Sequence, residues 1–83
     1  MKKLYDTLPL PALTVEVFKT SVQTAKEAEV IVADLQACFP GHSINFDLED
    51  CDRILRLEGK GMDVERVLSV LWNYGLECSV LED

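Results

Sequence analysis

The sequence has no long hydrophobic run, no Cys-x-x-Cys pair and little glycine or proline. Its longest apolar stretches fall well short of the roughly 20 residues that cross a bilayer, so we expect no membrane span. Four glycines and three prolines in 83 residues exclude a collagen-like or low-complexity chain. Cys38, Cys51 and Cys78 are odd in number and widely spaced. This spacing argues against a disulfide framework and favours free thiols.

Basic residues are also scarce, since the sequence has 8 Lys and Arg residues but 15 Asp and Glu residues, and its net charge is −7. Contacts from basic side chains to phosphates supply most of the non-specific affinity for nucleic acid, so we expect no nucleic-acid partner. Two lysines lie near the start of the chain, but Asp6, Pro9 and Pro11 interrupt the next segment, which is atypical of a signal peptide. We therefore expect one small cytoplasmic domain.

The sequence does contain an ordered series of strand and helix patterns after an N-terminal extension, residues 1–12. In the first strand Val15 and Val17 lie on one face and Phe18 on the other, so either both faces are covered or a bulge shifts the register. The full series comprises a strand from Leu13 to Thr20, a helix from Ala25 to Phe39, a strand from His42 to Asp50, a strand from Arg53 to Gly59, a helix capped by Asp63 that ends at Tyr74-Gly75, and a strand from Cys78 to Leu81.

The order β-α-β-β-α-β predicts an α+β ferredoxin-like sandwich over residues 13–83, with an antiparallel sheet in the order 4-1-3-2 and two helices on one face. In this topology the first strand-to-helix turn, the turn at residues 50–52 and the segment before the last strand meet at one end. His42 is expected at the other end, as an exposed loop residue. Outward charges of the hairpin, including Arg56 and Glu58, are expected to pair across its two strands.

The stretch that joins the first strand to the first helix carries a capping box. Thr24 and Glu27 stand three residues apart just before the apolar-periodic residues begin. In this motif the Thr24 hydroxyl accepts from the Glu27 N–H, and the Glu27 carboxylate accepts from the Thr24 N–H. Such a cap stabilises a helix by about 1 kcal/mol, so the stretch is explained without a ligand.

A family resemblance rests on Phe18-Lys19-Thr20, Ile44-Asn45-Phe46-Asp47-Leu48, Asp63 and Asn73-Tyr74-Gly75-Leu76. With these segments, from about Val15 to Leu81, the chain resembles the heavy-metal-associated (HMA) domain family, which comprises small copper chaperones and metal-binding modules of metal-pumping ATPases. The family's Met-x-Cys-x-x-Cys loop aligns with Val22-Gln23-Thr24-Ala25-Lys26-Glu27, with Thr24 and Glu27 at the cysteine positions. A hydroxyl and a carboxylate do not replace two thiolates around a soft cation. The resemblance therefore implies the fold of a degenerate member without metal or cofactor.

Two other groups of residues are weaker candidates for a site. Cys51 and Cys78 form a weak alternative soft-metal pair, with Asp50 or Asp52 nearby. The acidic segment 47–52 lacks the ligand spacing and central glycine of an EF-hand. Nucleophile–base pairs and phosphate-binding loop motifs are missing from the sequence, so we expect no enzyme.

The resemblance also indicates an interaction patch on the open face of the sheet, formed by Val15, Val17 and Ile54. Such a patch is typical of a protein partner, a second copy or a covering segment. Residues 1–12 are slightly favoured as the cover because they need no threshold concentration, and a two-fold dimer is the alternative. The partner itself is unknown.

The leading hypothesis is a non-catalytic HMA-like domain that has lost soft-metal binding and serves as a protein-interaction or regulatory module. Two alternatives stay open. One is an unorthodox metal-binding or chaperone role that uses Cys51 and Cys78. The other is an ACT-like small-molecule-binding domain, which shares the same element order.

Overall fold

A computed structural model describes residues 13–81 of the chain. The N-terminal extension, residues 1–12, lies outside the described residues. The predicted four antiparallel strands and two helices are confirmed, in the order β-α-β-β-α-β. The elements are β1 (Leu13–Thr20), α1 (Ala25–Cys38), β2 (Ser43–Asp47), β3 (Ile54–Lys60), α2 (Val64–Asn73) and β4 (Cys78–Val80).

The strands form one sheet in the order β2-β3-β1-β4, which is β4-β1-β3-β2 when counted from the other edge. The two central strands, β1 and β3, pair without interruption from Leu13 opposite Lys60 to Lys19 opposite Ile54. A bulge would place two residues against one, so this register excludes the bulge considered for β1. One face of the strand is buried and the other is open.

The core lies between the two helices and one face of the sheet. Phe18 of β1 and Leu55 directly opposite it in β3 are both fully buried. Each helix adds residues spaced three or four apart, as the 3.6-residue repeat requires. These are Ala28, Ile31 and Leu35 from α1 and Val67, Val70 and Leu71 from α2. Neither described helix is long and apolar enough to cross a membrane.

The ends of α2 follow the local signals in the sequence. The Asp63 carboxylate accepts from the Arg66 N–H at 3.1 Å at the start of the helix. At the other end Gly75 has φ 76°, and the Leu76 N–H donates to the Leu71 carbonyl at 3.1 Å. This is the Schellman arrangement, which glycine favours because it has no Cβ.

The hairpin between β2 and β3 differs from the prediction at its tip. The second strand was expected to end at Asp50 and the third strand to start at Arg53. In the structure β2 ends at Asp47, β3 starts at Ile54, and residues 48–53 form the connection between them. Asp47 and Asp50 each accept a backbone N–H two residues on, which competes with ladder bonds. Arg53 then adopts φ 48°, outside the range that a strand allows. Four other predicted boundaries differ by one residue: the first residue of β2 and the last residues of α1, β3 and β4.

The predicted charge pairs across the hairpin are not formed. Arg56 lies opposite Val17 and Asn45, and Glu58 lies opposite Val15 and Ser43. None of these neighbours carries a charge. The register therefore leaves both charges available on the open face of the sheet.

His42 is not the exposed loop residue that the sequence suggested. Its side chain is half-buried, and its Nε2 lies 2.8 Å from the Gly61 carbonyl oxygen. The ring centroid lies 5.3 Å from that of Phe39. A Cβ at Gly59 would come within 2.3 Å of the His42 ring. The imidazole thus occupies the space that a side chain at position 59 would fill.

Candidate functional site

Three connections meet at one end of the fold, as predicted. The Thr20 N–H donates to the Asp52 carbonyl at 3.0 Å, and the Thr20 hydroxyl donates to the Arg53 carbonyl at 2.6 Å. The Ser21 N–H donates to the Glu77 carbonyl at 3.1 Å, and the Ser21 hydroxyl accepts from the Glu77 N–H at 2.8 Å. These bonds join the segment between β1 and α1 to the β2–β3 hairpin connection on one side and to the segment before β4 on the other.

Thr24 and Glu27, which the resemblance to the HMA family aligns with its cysteines, are both engaged at the start of α1. Thr24 has an extended backbone, and its Oγ1 accepts from the Glu27 N–H at 3.1 Å. The Glu27 carboxylate accepts at 2.9 Å from the N–H of Gln23, not from that of Thr24 as the capping box predicted. This bond therefore satisfies the amide of the residue directly before the N-cap Thr24. The oxygens of both side chains serve the helix terminus.

The two thiols of the alternative metal pair have different surroundings. Cys51 is exposed in the hairpin tip, whereas Cys78 is buried in β4. Burial raises the pKa of Cys78 to about 11, so this residue is a protonated thiol at neutral pH. Metals bind the thiolate, and this state therefore disfavours Cys78 as a ligand.

The donor atoms of Asp50, Cys51 and Asp52 lie within 4.8 Å of one another, and Cys78 is not part of this group. The group lies at the solvent-exposed tip of the hairpin, where carboxylates are ordinary. Cys38, half-buried near the other end, is also a free thiol. The described structure therefore offers no argument for a soft-metal centre.

The open face of the sheet carries an exposed apolar row. Leu13 and Val15 of β1 are 65% and 43% exposed, and Leu81 is 39% exposed. Val17 is half-buried between Val15 and Leu81, and the Leu81 N–H donates to its carbonyl at 2.8 Å. We call Leu13, Val15, Val17 and Leu81 the open-face strip.

The strip extends the predicted patch, whose third residue, Ile54, lies next to it. Ile54 lies on the same face, opposite Lys19 and diagonally from Val17, and like Val17 it is half-buried. Leu13 and Leu81 were not included in the prediction. The signal for Leu13 was available in the alternation Leu13-Val15-Val17, whereas Leu81 joins the strip only through the pairing of β4 with β1.

A second exposed surface was missed by sequence reasoning. Trp72, near the end of α2, is 58% exposed and borders two cavities of about 340 and 220 Å³. The sequence could have indicated this surface, because the helical repeat places Trp72 on the side of α2 opposite Val67 and Val70. A tryptophan placed there has no core to fill.

Comparisons with known proteins give no match. No protein-family model matches the chain, and no curated protein and no solved structure is significantly similar to it. These comparisons do not bear on the resemblance to the HMA family, which stays a hypothesis. The function must be inferred from the geometry of the chain itself.

Proposed function

We propose that the protein is a non-catalytic interaction domain that pairs with a second copy of itself through the open face of its sheet. We further propose that its framework is ferredoxin-like and similar to that of the HMA family. The element order and the strand neighbours β4-β1, β1-β3 and β3-β2 support this framework. The metal transfer of that family is not part of the proposal, because Thr24 and Glu27 are engaged in capping α1.

The observation that carries the proposal is the open-face strip. Apolar side chains contribute roughly 25 cal/mol for each Å² removed from water, so a contiguous exposed row favours a cover. Contiguous apolar patches on small domains commonly mark interaction sites. The described residues offer no catalytic pair on this face that would give it another role.

A single two-fold axis makes this face complementary to itself. Val15 and Glu58 form one row across the sheet, and Val17 and Arg56 form the next row with the same orientation. An axis that lies in the interface, across the strands and between these two rows, exchanges the rows. Val15 then meets Val17 of the second copy, and isologous packing repeats this contact on both sides.

The same axis brings opposite charges together. It places Arg56 against Glu58 of the second copy and Glu58 against Arg56. Neither residue has an oppositely charged neighbour across the described strands. Aligned face-to-face packing of sheets tolerates such pairs because the strand directions stay within about 30° of each other. The apolar and charged residues therefore favour the same arrangement.

Residues 1–12 are the competing occupant. They directly precede Leu13 and carry Leu4, Tyr5, Leu8 and Leu10, and their placement lies outside the described residues. They would shield the strip within one molecule. We favour the second copy because the two-fold axis places Arg56 of each copy against Glu58 of the other, an arrangement that follows from the register of β1 on β3.

Sedimentation velocity over a concentration series tests the pairing. We expect the full chain to form a dimer and Val15→Lys to shift it strongly towards monomer. Val30→Lys is the matched control, because Val30 lies on α1 away from the sheet and is similarly exposed, at 50%. Arg56→Glu should weaken the dimer, and adding Glu58→Arg should restore it, because the swap recreates the opposite charges.

Three outcomes would overturn the pairing. The first is a full chain that is monomeric at every concentration, and the second is a dimer equally sensitive to Val15→Lys and Val30→Lys. The third is a monomer that dimerises only after residues 1–11 are deleted, which would assign the face to the N-terminal extension.

Competition for Cu(I) against a chromogenic chelator tests the absence of metal transfer. We expect the full chain to retain no stoichiometric Cu(I). Retention of one equivalent, abolished by Cys51→Ser or Cys78→Ser, would instead support the alternative soft-metal pair. No specific observation among the described residues favours the ACT-like alternative.

A further inference from the structure

A groove lies beside the end of α2 and the start of β4. The cavity of about 340 Å³ is lined by Trp72 and Leu76 on the helix side and by Glu77, Cys78 and Ser79 on the strand side. Lys19 and Thr20 of β1 also line it. The indole of Trp72 also borders the neighbouring cavity of about 220 Å³ with Glu65 and Leu68. The groove thus combines a strand edge with an exposed aromatic wall.

The outer edge of β4 carries backbone groups that no described strand pairs. Leu81 bonds to Val17, and Glu77 bonds to Ser21, so the odd-numbered residues of this segment point towards β1. Antiparallel pairing alternates in direction along a strand. The N–H and C=O groups of Cys78 and Val80 therefore point away from β1, to the edge where the described sheet ends. An edge of this kind is a template for an added strand.

The side chains around the groove favour a cationic occupant. Two carboxylates, Glu65 and Glu77, flank Trp72 in the two cavities. The indole face attracts a Lys or Arg side chain through a cation–π interaction. Lys19 is the opposing charge, but its Nζ lies 4.0 Å from the Asp52 carboxylate. The chain as a whole carries a net charge of −7.

We propose that this groove binds an extended peptide segment that carries Lys or Arg, by addition of a strand to β4. The segment exchanges backbone hydrogen bonds with Cys78 and Val80, the mode known as β-augmentation. Its basic side chains lie on the indole of Trp72, between Glu65 and Glu77. This inference is independent of the pairing through the open face, because it uses a different surface and different residues.

The first experiment uses the full chain and a capped peptide, Lys-Val-Lys-Val-Lys-Val, that carries a fluorophore for anisotropy. We expect saturable binding that weakens as salt is raised, since screened charges contribute to it. The matched peptide with Glu in place of Lys should bind at least tenfold more weakly. Trp72→Ala should weaken binding by roughly tenfold, the scale of loss for a tryptophan at the centre of an interface.

The second variant keeps the test informative if Trp72→Ala fails to fold. Glu77→Lys leaves the backbone bonds of Glu77 to Ser21 in place and should also weaken binding of the basic peptide. Val30→Lys, which adds the same charge on α1 away from both proposed surfaces, is the control and should bind as well as the unaltered chain.

Amide exchange by NMR identifies the contact itself. Peptide binding should slow exchange of the Cys78 and Val80 N–H groups, and Trp72, the only tryptophan in the chain, should change its emission. Equal binding of the Lys and Glu peptides, or binding unaffected by both Trp72→Ala and Glu77→Lys, would overturn the proposal. So would full protection of the Cys78 and Val80 amides before peptide is added, because the edge would then already be covered.

Discussion

Substitution of Gly59 by alanine is the sharpest test of the packing between β3 and His42. Gly59 is buried in β3 and has no positive φ, so its backbone conformation is one that alanine adopts without strain. Its added Cβ would lie 2.3, 2.5 and 2.6 Å from Cδ2, Cγ and Nε2 of the His42 ring. Since Cγ is the inner atom of that ring, a simple rotation of its tip does not remove the overlap.

The magnitude depends on the contacts that hold the ring. His42 must leave its contact with the Gly61 carbonyl at 2.8 Å, which costs roughly 1 kcal/mol, and overpacking costs roughly 1–3 kcal/mol. Replacing glycine by alanine within a strand stabilises the folded state by about 0.5–1 kcal/mol, which partly offsets these costs. We therefore expect Gly59→Ala to lower the free energy of unfolding by about 2 kcal/mol. Each kcal/mol lowers Tm by roughly 4–8 °C in a domain of this size.

A double-mutant cycle with His42→Ala isolates the clash. Urea unfolding of the four proteins gives the free energies, and in the His42→Ala background Gly59→Ala should be neutral or slightly stabilising. The coupling between the two sites should then be about 2 kcal/mol. The reasoning is refuted if Gly59→Ala is as stable as the unaltered chain, or if His42→Ala leaves its cost unchanged.

Three further predictions concern the cap and the buried thiol. Thr24→Ala should lower the free energy of unfolding by about 0.5–2 kcal/mol in urea unfolding, and the absence of any loss would contradict the observed cap. Thr24→Cys with Glu27→Cys should install Cu(I) binding in chelator competition, whereas a folded double variant that binds no Cu(I) would contradict the alignment with the HMA loop. Because burial raises the pKa of Cys78 from 9.0 to about 11, the unfolded chain loses this proton first as pH rises. Stability should therefore fall between about pH 9 and 11, by up to roughly 2 kcal/mol, and this fall should be absent in Cys78→Ala.

The sequence by itself determined the elements that depend on neighbouring residues. Thr24 and Asp63 as caps, and Gly75 as the left-handed residue after α2, are found as predicted. Each of these signals acts within about five residues, so it survives whatever the rest of the chain does. The bounds of β1 followed from its β-branched residues, and the number, type and order of the elements followed from local patterns along the chain.

Tertiary structure alone decided the features that join distant residues. The register of β1 on β3 placed Val15 beside Glu58 and Val17 beside Arg56, and a slip of one residue would have moved these side chains to the other face. The position of His42 over Gly59 likewise depends on how the end of α1 meets β3. A sequence records which residues are apolar or charged, but which of them become neighbours is fixed only when the strands pair.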